Sequence, residues 1–150
     1  IMNSYEATLA VMPQLAGFIP MLTGTGGNCG SQSSTLVIRG LAIGEIEFRD
    51  LFKVIWKEVR IAVCISIILA VVNGTRILIM GQGDAMMAFT IGVTMACTVI
   101  IAKVVGCTLP LVAKKVGLDP AIMATPLIST LVDISTISVY FAIVSFVFRL

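Results

Sequence analysis

From Ile61 to Met80 the sequence carries one charged residue, Arg76, in a run otherwise dominated by Ile, Val, Leu and Ala. At 1.5 Å of rise per residue, about 20 helical residues match the roughly 30 Å hydrocarbon thickness of a bilayer. Three further stretches have comparable or greater length, at about 7–42, 85–112 and 120–148. A backbone in lipid has no water to bond its N–H and C=O groups, so such runs must be helices that satisfy themselves. The expected fold class is therefore all-α, a polytopic membrane helical bundle with four hydrophobic spans. Composition agrees: 58% of the residues are hydrophobic and 12% charged, against about 25% charged in soluble domains.

The first run is too long for one ordinary span and is punctuated by Pro13, Pro20 and a glycine cluster. The third is expected to break near Gly106 and Pro110. Between the first two lies "GEIEFRDLFKVIWKEVR", residues 44–60. Its apolar residues fall near helical spacing and its charges are mixed, which predicts an amphipathic helix at the membrane surface leading into the second span. Trp56 suits an interfacial anchor. Asp84 and the Asp119-Pro120 pair predict helix starts, by side-chain capping and by proline at the first helical position.

Loop charge predicts orientation. Arg39 stands at the end of the first run, Arg49, Lys53, Lys57 and Arg60 follow it, and Lys114 and Lys115 follow the third. The turn "GQGD", residues 81–84, has neither Lys nor Arg. The loops near 39–60 and 113–119 are then cytoplasmic, in a multi-pass protein of the cell membrane. Both ends of the chain fall outside on this count, and no export signal stands at the start. One helix upstream removes the difficulty, so five spans or more are expected in the intact protein.

Several function classes lose support. There is no histidine, and the four cysteines form no C-x-x-C pair. A thiolate or imidazole metal site is not expected, and the cysteines read as small buried apolar residues. No polybasic run or aromatic ladder speaks for nucleic acid. No nucleophile–base pair speaks for an enzyme.

The polar residues within the spans carry the chemistry. Asp133 lies 13 residues beyond Pro120, about 20 Å of helix, near the midplane. A carboxylate there faces a pore or a partner rather than lipid. Ile122, Thr125, Ser129, Asp133 and Thr136 recur at spacings of three and four and form one stripe. Pro126 beside it frees a backbone carbonyl. In the first run, "MLTGTGGNCGSQ" places Gly24, Gly27, Asn28, Ser31 and Thr35 on one helical face. Gly26 and Gly30 form a small-x-x-x-small pair on an adjacent face. Tight helix packing by small residues is the alternative for either stripe, but it does not account for Asn28, Ser31 and Gln32 at one depth.

Facing one another, the stripes would line an aqueous path with one carboxylate in it. Acidic rings favour cations, and a set of oxygen acceptors suits a hard, hydrated cation such as Mg²⁺. A divalent ion is best met by two negative charges, which predicts a homodimer with Asp133 from each protomer across the axis. Glu6 is a candidate for an outer vestibule. Lys103, inside the third span, is a candidate to pair with a carboxylate or to repel cations.

Residues 24–46, "GTGGNCGSQSSTLVIRGLAIGEI", and residues 114–141, "KKVGLDPAIMATPLISTLVDISTISVYF", closely resemble the transmembrane domain of the MgtE family of magnesium channels and transporters. The resemblance extends over essentially the whole chain. It implies a homodimer of five-helix protomers with the ion path between them. It also implies that Asp133 holds hydrated Mg²⁺, with Gly24, Gly27, Asn28, Ser31 and Thr35 lining one wall and Thr125 and Ser129 the other. Co²⁺ or Mn²⁺ are further candidate ions. The resemblance implies Asn at positions 31 and 125, where this chain has Ser and Thr. The resemblance implies regulatory cytoplasmic CBS domains and a first transmembrane helix in the full-length protein, expected outside these 150 residues. The expected function is magnesium transport through a dimeric pore. A secondary transporter coupled to protons or sodium is the alternative, and a membrane assembly module with packing glycines is a third reading.

Overall fold

The computed structural model describes residues 13–123 and 125–148. A 3-10 turn at Pro13–Phe18 leads into α1, Ile19–Ala42. A second 3-10 turn, Phe48–Asp50, opens α2, Leu51–Ile79. Helix α3 spans Ala85–Lys115. A third 3-10 turn, Pro120–Met123, precedes α4, Thr125–Phe148. Among the described residues there is no strand.

Three of these helices are long and apolar enough to cross a membrane. Helix α1 has 24 residues, about 36 Å of rise and therefore length enough, but its glycines and polar residues lower its hydropathy. Helix α3 is the central element and packs against the other three. Half of its most apolar window is buried, against 17% for α2, which turns most of its surface outward. The core runs along α3 through Ile91, Met95, Val99 and Ala102, and it meets Ile128, Val132 and Val144 of α4 and Leu22 of α1. Tyr140 on α4 donates from its hydroxyl to the Leu15 carbonyl at 2.9 Å, which ties α4 to the turn before α1.

The helix ends follow their sequence. Asp84 caps α3 by accepting from the Met87 N–H at 2.8 Å, as its position predicts. Helices α2 and α3 end at Gly81 and Gly117, with φ of 62° and 80°. That left-handed conformation costs glycine nothing. It lets the Gln82 N–H reach the Ile77 carbonyl and the Leu118 N–H reach the Ala113 carbonyl, closing each helix. Asp119 accepts from the Ala121 N–H at 2.9 Å.

From Leu51 the segment 44–60 is the first part of α2, which continues without interruption to Ile79. Its apolar residues Leu51, Val54 and Ile55 pack beside Val37, Cys107 and Leu111, so protein rather than lipid headgroup receives that face. Helix α3 does not break near Gly106 or Pro110; both lie inside it and are buried. Neighbouring helices hold the local geometry that an isolated proline would disrupt.

The reason for Gly106 is a close crossing. A Cβ there would overlap the Gly30 carbonyl of α1, with the Gly30 Cα at 3.0 Å. The backbones of α1 and α3 touch. At Gly26, an added Cβ would lie 2.8 Å from both the Thr98 and Val132 side chains. Gly26 and Gly30 are therefore packing glycines, as their spacing suggested. Of the cysteines, Cys29 and Cys107 are buried, whereas Cys64 is exposed and Cys97 half-buried. The reading of all four as buried holds for two.

Candidate cation site

With Gly26 and Gly30 turned into the bundle, helical spacing rotates Gly24, Gly27, Asn28 and Ser31 to its edge. Helix α4 packs on the same side of α1 through Ile128, Val132 and Thr136, all buried. The residues one position along, Ser129 and Asp133, then stand beside the seam. The result is a surface groove of about 370 Å³ between the two helices. One wall is Gly24, Gly27, Asn28 and Ser31, with Pro20 and Thr23 toward the start of α1. The other is Ser129 and Asp133.

The glycines give the groove its width. A Cβ on Gly24 would meet nothing within 4 Å, and one on Gly27 would lie 3.6 Å from Ser129 Oγ. Asp133 lies eight residues into α4, about 12 Å of rise from its start. It is half-buried and Asn28 is exposed. Ser31 Oγ is buried and finds no hydrogen-bond partner among the described residues. A buried hydroxyl without a partner costs free energy on the order of 1–3 kcal/mol, which water or a hydrated ion in the groove would recover. The side chains on offer are one carboxylate, hydroxyls and an amide, each with an oxygen that can accept.

The structure brings together six of the nominated residues: Gly24, Gly27, Asn28, Ser31, Ser129 and Asp133. Thr35 lines a neighbouring cavity instead, reached through Ser31, and its hydroxyl bonds the Ser31 carbonyl at 2.9 Å. Ile122 sits in the 3-10 turn before α4, 65% exposed and outside this groove. Thr125 is the first residue of α4. Thr136, a member of the spacing stripe, is buried against Gly26 and faces the bundle rather than the groove. Glu6 lies outside the described residues.

A second polar cluster was only half legible. Lys103 is 2% exposed, and its Nζ lies 3.1 Å from Glu58 Oε2 and 3.1 Å from Ser33 Oγ. Ser33 donates to the same Glu58 oxygen at 2.5 Å. Three helices thus meet at one buried ion pair. Pairing with a carboxylate was one of the two readings of Lys103. Glu58 escaped notice because it belongs to a segment whose other charges, such as Arg49 and Lys53, are solvated. The available signal was that Glu58 follows Val54 and Ile55 at helical spacing, on the side that turns to protein.

The MgtE family model, described as a divalent cation transporter, matches residues 19–143. A magnesium transporter MgtE of Thermus thermophilus is 33% identical over 143 residues, covering 95% of this chain and 31% of that protein. The Bacillus subtilis protein of the same name is 35% identical over 147 residues, covering 95% and 32%. The Enterococcus faecalis protein is 32% identical over 152 residues, covering 99% and 33%. The chain spans about a third of the length of these relatives.

Proposed function

Since the chain belongs to the MgtE family of divalent cation transporters, and since it is a multi-pass membrane protein with three strongly apolar spans, we propose that it is the conducting part of a Mg²⁺ pathway across the cell membrane. One observation carries this reading. The polar stripes of α1 and α4, separated by about a hundred residues of sequence, meet in a single groove with Asp133 in its wall.

The groove opens on the surface of the single chain and offers one carboxylate. A second copy related by a twofold axis closes it and supplies the second. The occupant is Mg²⁺ with its water shell, because Mg²⁺ sheds water reluctantly and the lining consists of hydroxyl, amide and carboxylate oxygens. Contact is then through water, with Asp133 of both protomers balancing the ion's charge. Co²⁺ and Mn²⁺ are accepted on the same chemistry. The segments near 39–60 and 113–119 face the cytoplasm, where regulatory CBS domains of the kind the family resemblance implies would act. The reading is transport and not catalysis.

In vesicles reconstituted with the full chain, Mg²⁺ influx is expected to follow the membrane potential and to ignore imposed proton or sodium gradients. Strict dependence on either gradient defeats the channel and supports the coupled transporter. The dimer has its own test. In a background without the four cysteines, Ser129→Cys is expected to form a disulfide between protomers. That bond requires Cα atoms within about 7 Å. Failure to crosslink both there and with Cys at position 125 removes the shared path.

A further inference from the structure

Three cavities follow one another along α1. The groove at Asp133 shares Ser31 with a second cavity of about 540 Å³, whose wall includes Thr35, Glu58 and Lys103. That cavity shares Leu36 and Glu58 with a third, of about 310 Å³, which reaches Arg39 and Lys57 at the charged end of α1. Each neighbouring pair has a side chain in common. The hydroxyl shared by the first two, on Ser31, is buried and has no hydrogen-bond partner among the described residues.

The Glu58–Lys103 pair sits at the middle of this series. Ionised groups within a membrane domain are costly to bury, and a buried pair is often no more stabilising than an apolar replacement. Fold stability is therefore a weak reason for it to be there. The α1–α3 crossing is already fixed next door by Gly30 against Gly106. What the pair does have is a place on a cavity wall. An unpaired carboxylate on the way out of a cation path would hold a divalent ion, and conduction needs each station to release as well as bind. An unpaired ammonium there would repel it.

We propose that the three cavities are successive sections of one cation route along α1, and that Lys103 is the internal counter-charge that keeps Glu58 from trapping the divalent ion. Glu58 in turn cancels the repulsion of Lys103, and Ser33 fixes the carboxylate oxygen they share. Both are positioning and throughput residues beyond the Asp133 station. The inference rests on the transport reading above.

The test compares three variants of the full chain by Mn²⁺ binding, followed by the electron spin resonance of the free ion, and by Mg²⁺ flux into vesicles. Lys103→Met is expected to bind one further Mn²⁺ per chain. Its half-saturating Mg²⁺ concentration and its maximal flux should both fall by about tenfold or more, the scale of one uncompensated charge about 6 Å from a divalent ion at the dielectric of water. Glu58→Gln is expected to shift half-saturation the opposite way, upward by about tenfold. The double variant, Glu58→Gln with Lys103→Met, should lose the extra Mn²⁺ and return half-saturation to within about threefold of the parent. Opposite shifts from the two single changes are the signature, since a mere structural clasp lowers flux in both without splitting half-saturation. If both singles move half-saturation the same way or not at all, the proposal is overturned. If Lys103→Met does not fold, the upward shift in Glu58→Gln still decides. A parent chain without Mg²⁺ flux overturns the transport reading, while the gained Mn²⁺ of Lys103→Met would still stand or fall by itself.

Discussion

Asp133→Ala is expected to lower Mg²⁺ uptake by about a hundredfold or more. Even at the dielectric of water, a carboxylate about 5 Å from a divalent ion contributes about 1.7 kcal/mol, and two copies across a dimer axis contribute twice that. The interior of a membrane groove has a lower dielectric, so this is a floor. Asp133→Asn should lose nearly as much, because the amide keeps the size but not the charge. Asp133→Glu should retain part of the flux, since the extra methylene shifts a charge that acts through water. None of these changes should unfold the protein, because Asp133 stands at the seam and the buried face of α4 belongs to Ile128, Val132, Thr136 and Tyr140. The measurement is dye-reported Mg²⁺ entry into vesicles, with the melting temperature in detergent as control. Uptake equal to the parent's in Asp133→Ala would remove this residue from the mechanism and with it the proposed site.

The second large effect is on assembly. Gly106→Leu is expected to prevent α1 from docking on α3, and Gly106→Ala to weaken it by several kcal/mol. The added Cβ would overlap the Gly30 carbonyl and approach its Cα to 3.0 Å. Overpacking against side chains costs about 1–3 kcal/mol, because side chains find other rotamers. A backbone carbonyl inside a helix cannot move aside, so the whole helix must shift. The control is Gly24→Ala, where the added carbon meets nothing within 4 Å. There the melting temperature should hold or rise slightly, since Ala is favoured over Gly in a helix by about 1 kcal/mol, while Mg²⁺ flux falls as the groove narrows. A melting temperature for Gly106→Ala equal to the parent's contradicts the crossing. A loss of stability in Gly24→Ala contradicts the division between packing and groove-lining glycines.

That division shows how far the sequence reaches. The motif "TGTGGNCGS" mixes two jobs on one helix. Spacing alone separated them, because residues three and four apart share a face: Gly26 and Gly30 on one, Gly24, Gly27, Asn28 and Ser31 on the next. The stripe on α4 was legible in the same way for Ser129 and Asp133. It failed at Thr136, which spacing puts in line with them and packing turns against Gly26. At 100° per residue a stripe drifts around the helix, and a small hydroxyl is equally at home in a groove wall or against a glycine. Ile122 was assigned by counting back along a helix that the structure replaces with a 3-10 turn, whose different rise and rotation end the stripe.

The sequence by itself determined that the chain is a helical membrane bundle, that Asp84 caps a helix start, and that Asp133 needs a polar neighbour. Those conclusions depend on local quantities: hydrophobic length against bilayer thickness, capping residues, and the cost of a lone carboxylate in hydrocarbon. Only the tertiary structure decided which glycine meets a backbone, that α3 is the helix all others touch, and that Glu58 leaves its charged neighbours to join Lys103 and Ser33. These are matters of how far each helix is rotated and slid against the next. That is set by the sum of many small contacts across three chain segments, and no single segment carries it.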